Sequence, residues 1–103
     1  MKWKFSDGFI AGDFAVSLTK SDSYELAADE KKPFISLVAS AASKTFTLGL
    51  DDGDVAFVAN IGGTNAFTVK NVAGDTGTSV ATGKVAIVIA STTADASKVY
   101  VLN

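Results

Sequence analysis

From residue 44 to the C-terminus, large apolar side chains alternate with small or polar ones in short runs, and a turn signal interrupts the alternation about every ten residues. In KTFTLGL (44–50), Phe46, Leu48 and Leu50 fall on one face and Thr45, Thr47 and Gly49 on the other. DDGD (51–54) reads as a turn, DVAFVAN (54–60) as a strand and IGGTN (61–65) as a turn. AFTVKNV (66–72) is a strand with Phe67 and Val69 inward. TSVAT (78–82) adds a short strand. KVAIVIAS (84–91) puts Val85, Ile87 and Ile89 on one face and Ala86 and Val88 on the other, and VYVLN (99–103) closes the chain after a polar loop. The rhythm predicts an all-β fold, a small antiparallel β-sandwich or barrel-like domain. Phe46, Leu48, Phe57, Phe67, Val69, Ile87 and Val101 are expected to share its core.

The first third is less regular. KWKF (2–5) alternates Trp3 and Phe5 with Lys2 and Lys4, and in FIAGDFAVSL (9–18) Phe14, Val16 and Leu18 stay in register. ELAADEKK (25–32) has the composition for a helical turn or two before Pro33 stops it, and PFISLVASA (33–41) resumes as a strand. Tandem repeats are not obvious. The division that follows is an N-terminal arm or first hairpin over 1–20 and a single all-β domain over 21–103.

GDTGTSVATGKVAIV (74–88) has the look of a phosphate-binding loop, but the spacing excludes one. A P-loop places four residues between its glycines and a Ser or Thr after the lysine. Five residues separate Gly77 from Gly83, Val85 follows Lys84, and the β-branched continuation is a strand where a phosphate-holding helix is needed. The glycines are turn chemistry.

Missing residue types narrow the chemistry further. With no His and no Cys, Ser–His–Asp and Cys–His sites, His- or thiolate-ligated metals and disulfides are all excluded. All nine basic residues are lysines and the net charge is −2, which argues against nucleic-acid recognition. MKWKFSDGFIAGDF breaks at Ser6, Asp7 and Gly8 before any secretion signal develops, and the longest apolar run, VAIVIA (85–90), is too short to span a bilayer. Asp51, Asp52 and Asp54 around Gly53 offer oxygen ligands, yet lack the spaced positions of a calcium loop and read as a hairpin turn. No catalytic residue, cofactor or metal is expected, and the chain is read as a non-enzyme. Trp3, Tyr24 and Tyr100 offer amphipathic rings for a sugar or a protein surface. Trp3, Phe5, Phe9 and Phe14 make an apolar chain end, and these four are the candidates for a capsid or subunit interface, with the arm expected to face a capsid.

The order of these elements resembles a β-rich module of tailed-bacteriophage virion proteins, in head decoration (capsid cement) and fibre proteins. It comprises the Phe-Thr-Leu strand (46–48), a strand ending in Asn-x-Gly (60–62), an Asn-Ala-x-Thr-Val strand (65–69), a Gly-rich turn closing on Thr-Gly-Lys (82–84) and a final Val-Tyr-Val-Leu strand (99–102). The likeness covers roughly residues 34–103 and leaves 1–33 without a counterpart. It implies a structural protein with no active site, a homotrimer that decorates and stabilises the outer capsid surface of the virion through contact with the major capsid protein. The alternative is a tail or head fibre module binding host-surface carbohydrate. An apolar surplus in a small chain points the same way, because symmetric self-association buries what a small core leaves exposed.

Overall fold

The computed structural model describes residues 14–102. Among the described residues nine strands form in chain order: β1 (Ala15–Lys20), β2 (Tyr24–Glu25), β3 (Phe34–Ala39), β4 (Lys44–Thr47), β5 (Val55–Asn60), β6 (Phe67–Lys70), β7 (Thr78–Val80), β8 (Lys84–Ile89) and β9 (Lys98–Leu102). ELAADEKK yields a single 3₁₀ turn, Ala28–Glu30, ahead of Pro33. The fold is all-β, as expected.

Its connectivity departs from the expectation. The strands lie in two mixed sheets, one ordered β1-β3-β5-β8-β9 and the other β2-β4-β6-β7. From β1 to β6 the chain steps alternately from one sheet to the other, so each strand pairs with the strand two before it. That pairing is parallel: Ala15 with Phe34, Phe34 with Phe57, Tyr24 with Phe46, Lys44 with Phe67. This is a coil of roughly 20 residues per circuit. Parallel neighbours require a long crossover, and here the strand in the opposite sheet supplies it. Only the pairings made by the last three strands are antiparallel, β7 with β6 and β8 with both β5 and β9, so β9 runs in the direction of β5. An antiparallel sheet throughout is therefore corrected to mixed sheets, and neither sheet closes into a barrel. Residues 15–20, read from sequence as part of an arm or hairpin, are an edge strand of the larger sheet.

One hydrophobic cluster fills the space between the sheets. Ile35, Leu37, Ala56, Val58, Ala86 and Val88 come from the larger sheet, Phe46, Phe67, Val69 and Val80 from the smaller, and Leu48 and Leu50 from the segment after β4. The Phe46 and Phe67 rings meet edge to face with centroids 5.1 Å apart, a favoured aromatic geometry. Val101 packs against this cluster from β9. Phe57 and Ile87 do not belong to it. Phe57 is 40% exposed and Ile87 is half-buried, while their small neighbours Ala56 and Ala86 are the buried ones.

Two buried asparagines close the coil. Asn71 accepts from the Leu50 N–H at 2.8 Å and donates to the carbonyls of Leu50 and Ser91 at 3.0 and 2.9 Å. Asn60 donates to the carbonyls of Asn65 and Val80. Each amide satisfies backbone groups that the end of a strand would otherwise leave unpaired inside the protein.

Candidate interaction face

β5 and β8 turn Ala56, Val58, Ala86 and Val88 toward the core, which leaves Val55, Phe57, Val85, Ile87 and Ile89 on the outer face of the five-stranded sheet. The register aligns them. Phe34 pairs with Phe57, Phe57 with Ile87, and Ile87 with Tyr100, so one apolar row crosses four adjacent strands. Directly paired residues project from the same face. The Phe34 and Phe57 rings lie 6.5 Å apart between centroids. On either side of this row run Val55–Ile89–Lys98 and Ser36–Ala59–Val85–Leu102, with Ala59 fully buried in the second. Lys98 is the sole charged member of the three rows. Tyr100 is 55% exposed, Leu102 45%, Phe57 and Ile89 40% each, and Ile61, just past β5, 61%. Scattered exposed hydrophobics are ordinary on a soluble surface, whereas their alignment across adjacent strands makes this face the candidate interaction surface.

The other polar and aromatic candidates serve the fold. Tyr24 donates its hydroxyl to Glu30 Oε1 at 2.6 Å, and the Lys20 ammonium sits 4.0 Å from its ring centroid. The hydrogen bond from Tyr24, and a second from the Ala27 N–H, hold the Glu30 carboxyl below its ordinary range. Tyr24 lies in the smaller sheet and Tyr100 in the larger, so the two tyrosines form no common platform. Trp3, Phe5 and Phe9 lie outside the described residues, and Phe14 is half-buried immediately before β1.

Asp52, Asp54, Asp75 and Asp95 accept from backbone N–H groups. Asp52 Oδ1 accepts from the Thr92 N–H at 2.6 Å and from the Thr92 hydroxyl at 3.0 Å, which lowers its pKa. Asp75 and Asp95 clasp two loops reciprocally: the Asp95 N–H donates to Asp75 Oδ1 and the Thr76 N–H to Asp95 Oδ1, both at 2.6 Å. Burial works against ionisation of Asp75, but the N–H groups of Asp95, Val72 and Asn71, with the Lys70 charge nearby, outweigh it and hold the carboxyl below its ordinary value. Among the described residues no three acidic side chains converge in a way that would hold a metal ion.

GDTGTSVATGK folds as turn, β7, turn, with Lys84 opening β8. Gly77 has φ +88°, and a Cβ there would come within 2.5 Å of Thr68 Cγ2. The glycine is required by close packing of the chain on itself. A groove of about 440 Å³ beside β4, β6 and β7 is lined by Ser43, Lys44, Asn65, Thr68 and Ser79, with the buried Phe67 as its one aromatic residue.

The apolar face had a signal in the sequence. VAFVAN and KVAIVI are apolar at odd and even positions alike, whereas a sheet with one solvated face alternates apolar with polar. The chain matches no protein-family model, and no curated protein or solved structure is detectably similar to it.

Proposed function

We propose that the protein is a non-enzymatic structural component of a tailed-bacteriophage virion, a homotrimer that binds the outer capsid surface and stabilises the shell. The observation that carries this reading is the apolar row Phe34–Phe57–Ile87–Tyr100 on an open sheet face, a surface suited to being covered by protein. The order of strand and turn motifs over residues 34–103 supplies the virion context. The work is mechanical: two sheets on one core, with loops clasped by Asp75 and Asp95, present a rigid surface that loses little entropy on docking.

Magnitudes limit what the face does alone. Each of its roughly half-exposed large side chains gains on the order of 1 kcal/mol when covered. Five of them reach only the low end of the association cost, about 4–15 kcal/mol, so a stable complex draws on further contacts. A fibre module that binds carbohydrate is the second reading, favoured by the 55% exposed Tyr100 ring beside Lys98.

The experiment is decoration of particles. Purified protein is mixed with expanded and unexpanded capsids of the same virion and imaged by negative stain, with its mass in solution measured by light scattering. Trimers that saturate one capsid form are the expected result. A protein that binds neither form and instead binds host-surface glycans would move the assignment to the fibre reading.

A further inference from the structure

We propose that three aspartates make the β8–β9 loop an acid-released latch: their protonation frees residues 91–97, and the edge strand β9 then leaves the sheet while the remaining strands stay paired. The starting point is how the loop is held. Thr92 donates to Asp52 Oδ1 through its N–H at 2.6 Å and through its hydroxyl at 3.0 Å. The Asp95 N–H donates to Asp75 Oδ1 and the Thr76 N–H to Asp95 Oδ1, both at 2.6 Å. Asn71 Nδ2 adds one neutral bond, to the Ser91 carbonyl at 2.9 Å. Other bonds, from the Ser91 N–H to Ser97 Oγ and from the Ala96 N–H to the Thr93 carbonyl, stay within the loop. The ties that join it to neighbouring turns thus end mainly on carboxylates.

Protonation breaks such ties. Asp75 Oδ2 accepts from the N–H groups of Asn71 and Val72 at 3.0 and 3.1 Å, and Oδ1 from that of Asp95, so a proton on either oxygen meets a donor. The loops are also pressed together, since a Cβ on Gly74 would lie 3.1 Å from the Ala94 Cβ. Asp95 holds φ +60°, a conformation that a non-glycine residue keeps only where its surroundings impose it. With its two bonds gone, nothing offsets that cost and the loop relaxes.

The charged groups on the segments that meet here are Asp51 and Asp54 in the turn of Asp52, Lys70 beside Asp75, and Lys98 at the start of β9. Asp54 Oδ2 accepts from the Asp51 N–H, and Lys70 donates to the Ala73 carbonyl. The latched carboxyls of Asp52 and Asp75 lie below their ordinary range. The latch is therefore fully made above the ordinary carboxylate value and is lost as pH falls through the lowered one.

What lets go is β9. It pairs on one side only, with β8, and only Val99 and Val101 of its side chains pack on the core, both partly buried. Ile35, Leu37, Phe46, Val58 and Phe67 lie on other strands, so the central cluster outlasts its departure. Loss of β9 takes Tyr100 and Leu102 out of the outer rows and opens the edge of β8.

Amide hydrogen exchange followed by NMR, corrected for intrinsic rates, tests this on the whole chain as pH is lowered through the carboxylate range. The β9 amides bonded to β8 should lose protection by about tenfold or more, the factor that one hydrogen bond to a charged group represents. Amides of β3, β5 and β6 should keep theirs. In Asp52→Asn/Asp75→Asn, β9 protection should already be low at neutral pH and fall less on acidification. Asp22→Asn, at a side chain 90% exposed in the β1–β2 connection, should behave as wild type. The proposal is overturned if β9 stays protected until every strand opens together, or if the double variant loses β9 protection in acid as steeply as wild type. Should the double variant fail to fold, the wild-type titration decides by itself, because it needs no substitution.

Discussion

At the scale of single residues, Phe67 and Asp75 test different parts of the description. Phe67 is 2% exposed and stacks edge to face on Phe46. Truncating it to Ala should cost about 3–5 kcal/mol in denaturant unfolding, a transfer term plus a cavity that a close-packed core cannot collapse around. A cost below about 1 kcal/mol is what a surface site gives and would mean that the strand is turned over. Asp75 tests the loop clasp. Its carboxyl is held below the ordinary range, so the folded state binds its proton less readily than the unfolded chain does. The stability this contributes is fully present above the ordinary carboxylate value and is lost as pH falls through the lowered one. Thermal melts across the acid range should therefore fall less steeply for Asp75→Asn than for wild type. Parallel curves would show that the clasp does not depend on charge.

At the scale of elements, strand positions were legible from residue 33 onward because turn chemistry is local: Gly, Asp and Asn mark the breaks at 51–54, 61–65 and 74–77. Pairing was not legible, since the same turns serve a hairpin within one sheet and a step to the opposite sheet. Both routes need a strand, a break and a strand; only tertiary packing separates them. The coil's repeat is hidden for a related reason. Its circuits differ in length and share pairing without sharing residues, as Ala15, Phe34 and Phe57 do along one line of the larger sheet. At β5 and β8 side-chain size is no guide to facing, since Phe57 and Ile87 lie outside the core cluster and Ala56 and Ala86 within it. With apolar residues on both faces, the side that packs is the one whose volumes fit between the sheets, and there Ala56 and Ala86 fit where Phe57 and Ile87 would crowd. The Gly-rich element before β8 carries its own prediction. Lys84 starts a strand and pairs with Asn60, so titration of Mg·ATP into the protein should release no heat, and Lys84→Ala should leave particle binding unchanged. Saturable micromolar binding that disappears in the variant would restore a nucleotide site.

At the scale of the whole molecule, the candidate site divides into a part that sequence pointed to and a part that it did not. The four aromatic residues at the chain end stood out by density, and three of them lie outside the described residues. The sheet face did not stand out, because its members are spread from Phe34 to Leu102 and meet only through the pairing of β3, β5, β8 and β9. That dispersion makes the face separable from the core by mutation. Phe57 and Tyr100 are 40% and 55% exposed and absent from the central cluster. Replacing both with Ser removes apolar surface from the row while Ala56, Val58, Ala86 and Val88 beneath it keep their packing. The double variant should keep its strand content by circular dichroism and melt no more than about 4–8 °C below wild type, the shift that a loss of about 1 kcal/mol produces in a domain of this size. On the proposed function its mass by light scattering should fall from trimer to monomer, and particle decoration should be lost with it, because a weak single contact is held on a lattice largely by multivalency. A variant that melts as wild type and remains a trimer would place the subunit contact elsewhere, at the edges of β2 and β7 in the smaller sheet. A variant that unfolds would show instead that the outer rows are part of what holds the two sheets together.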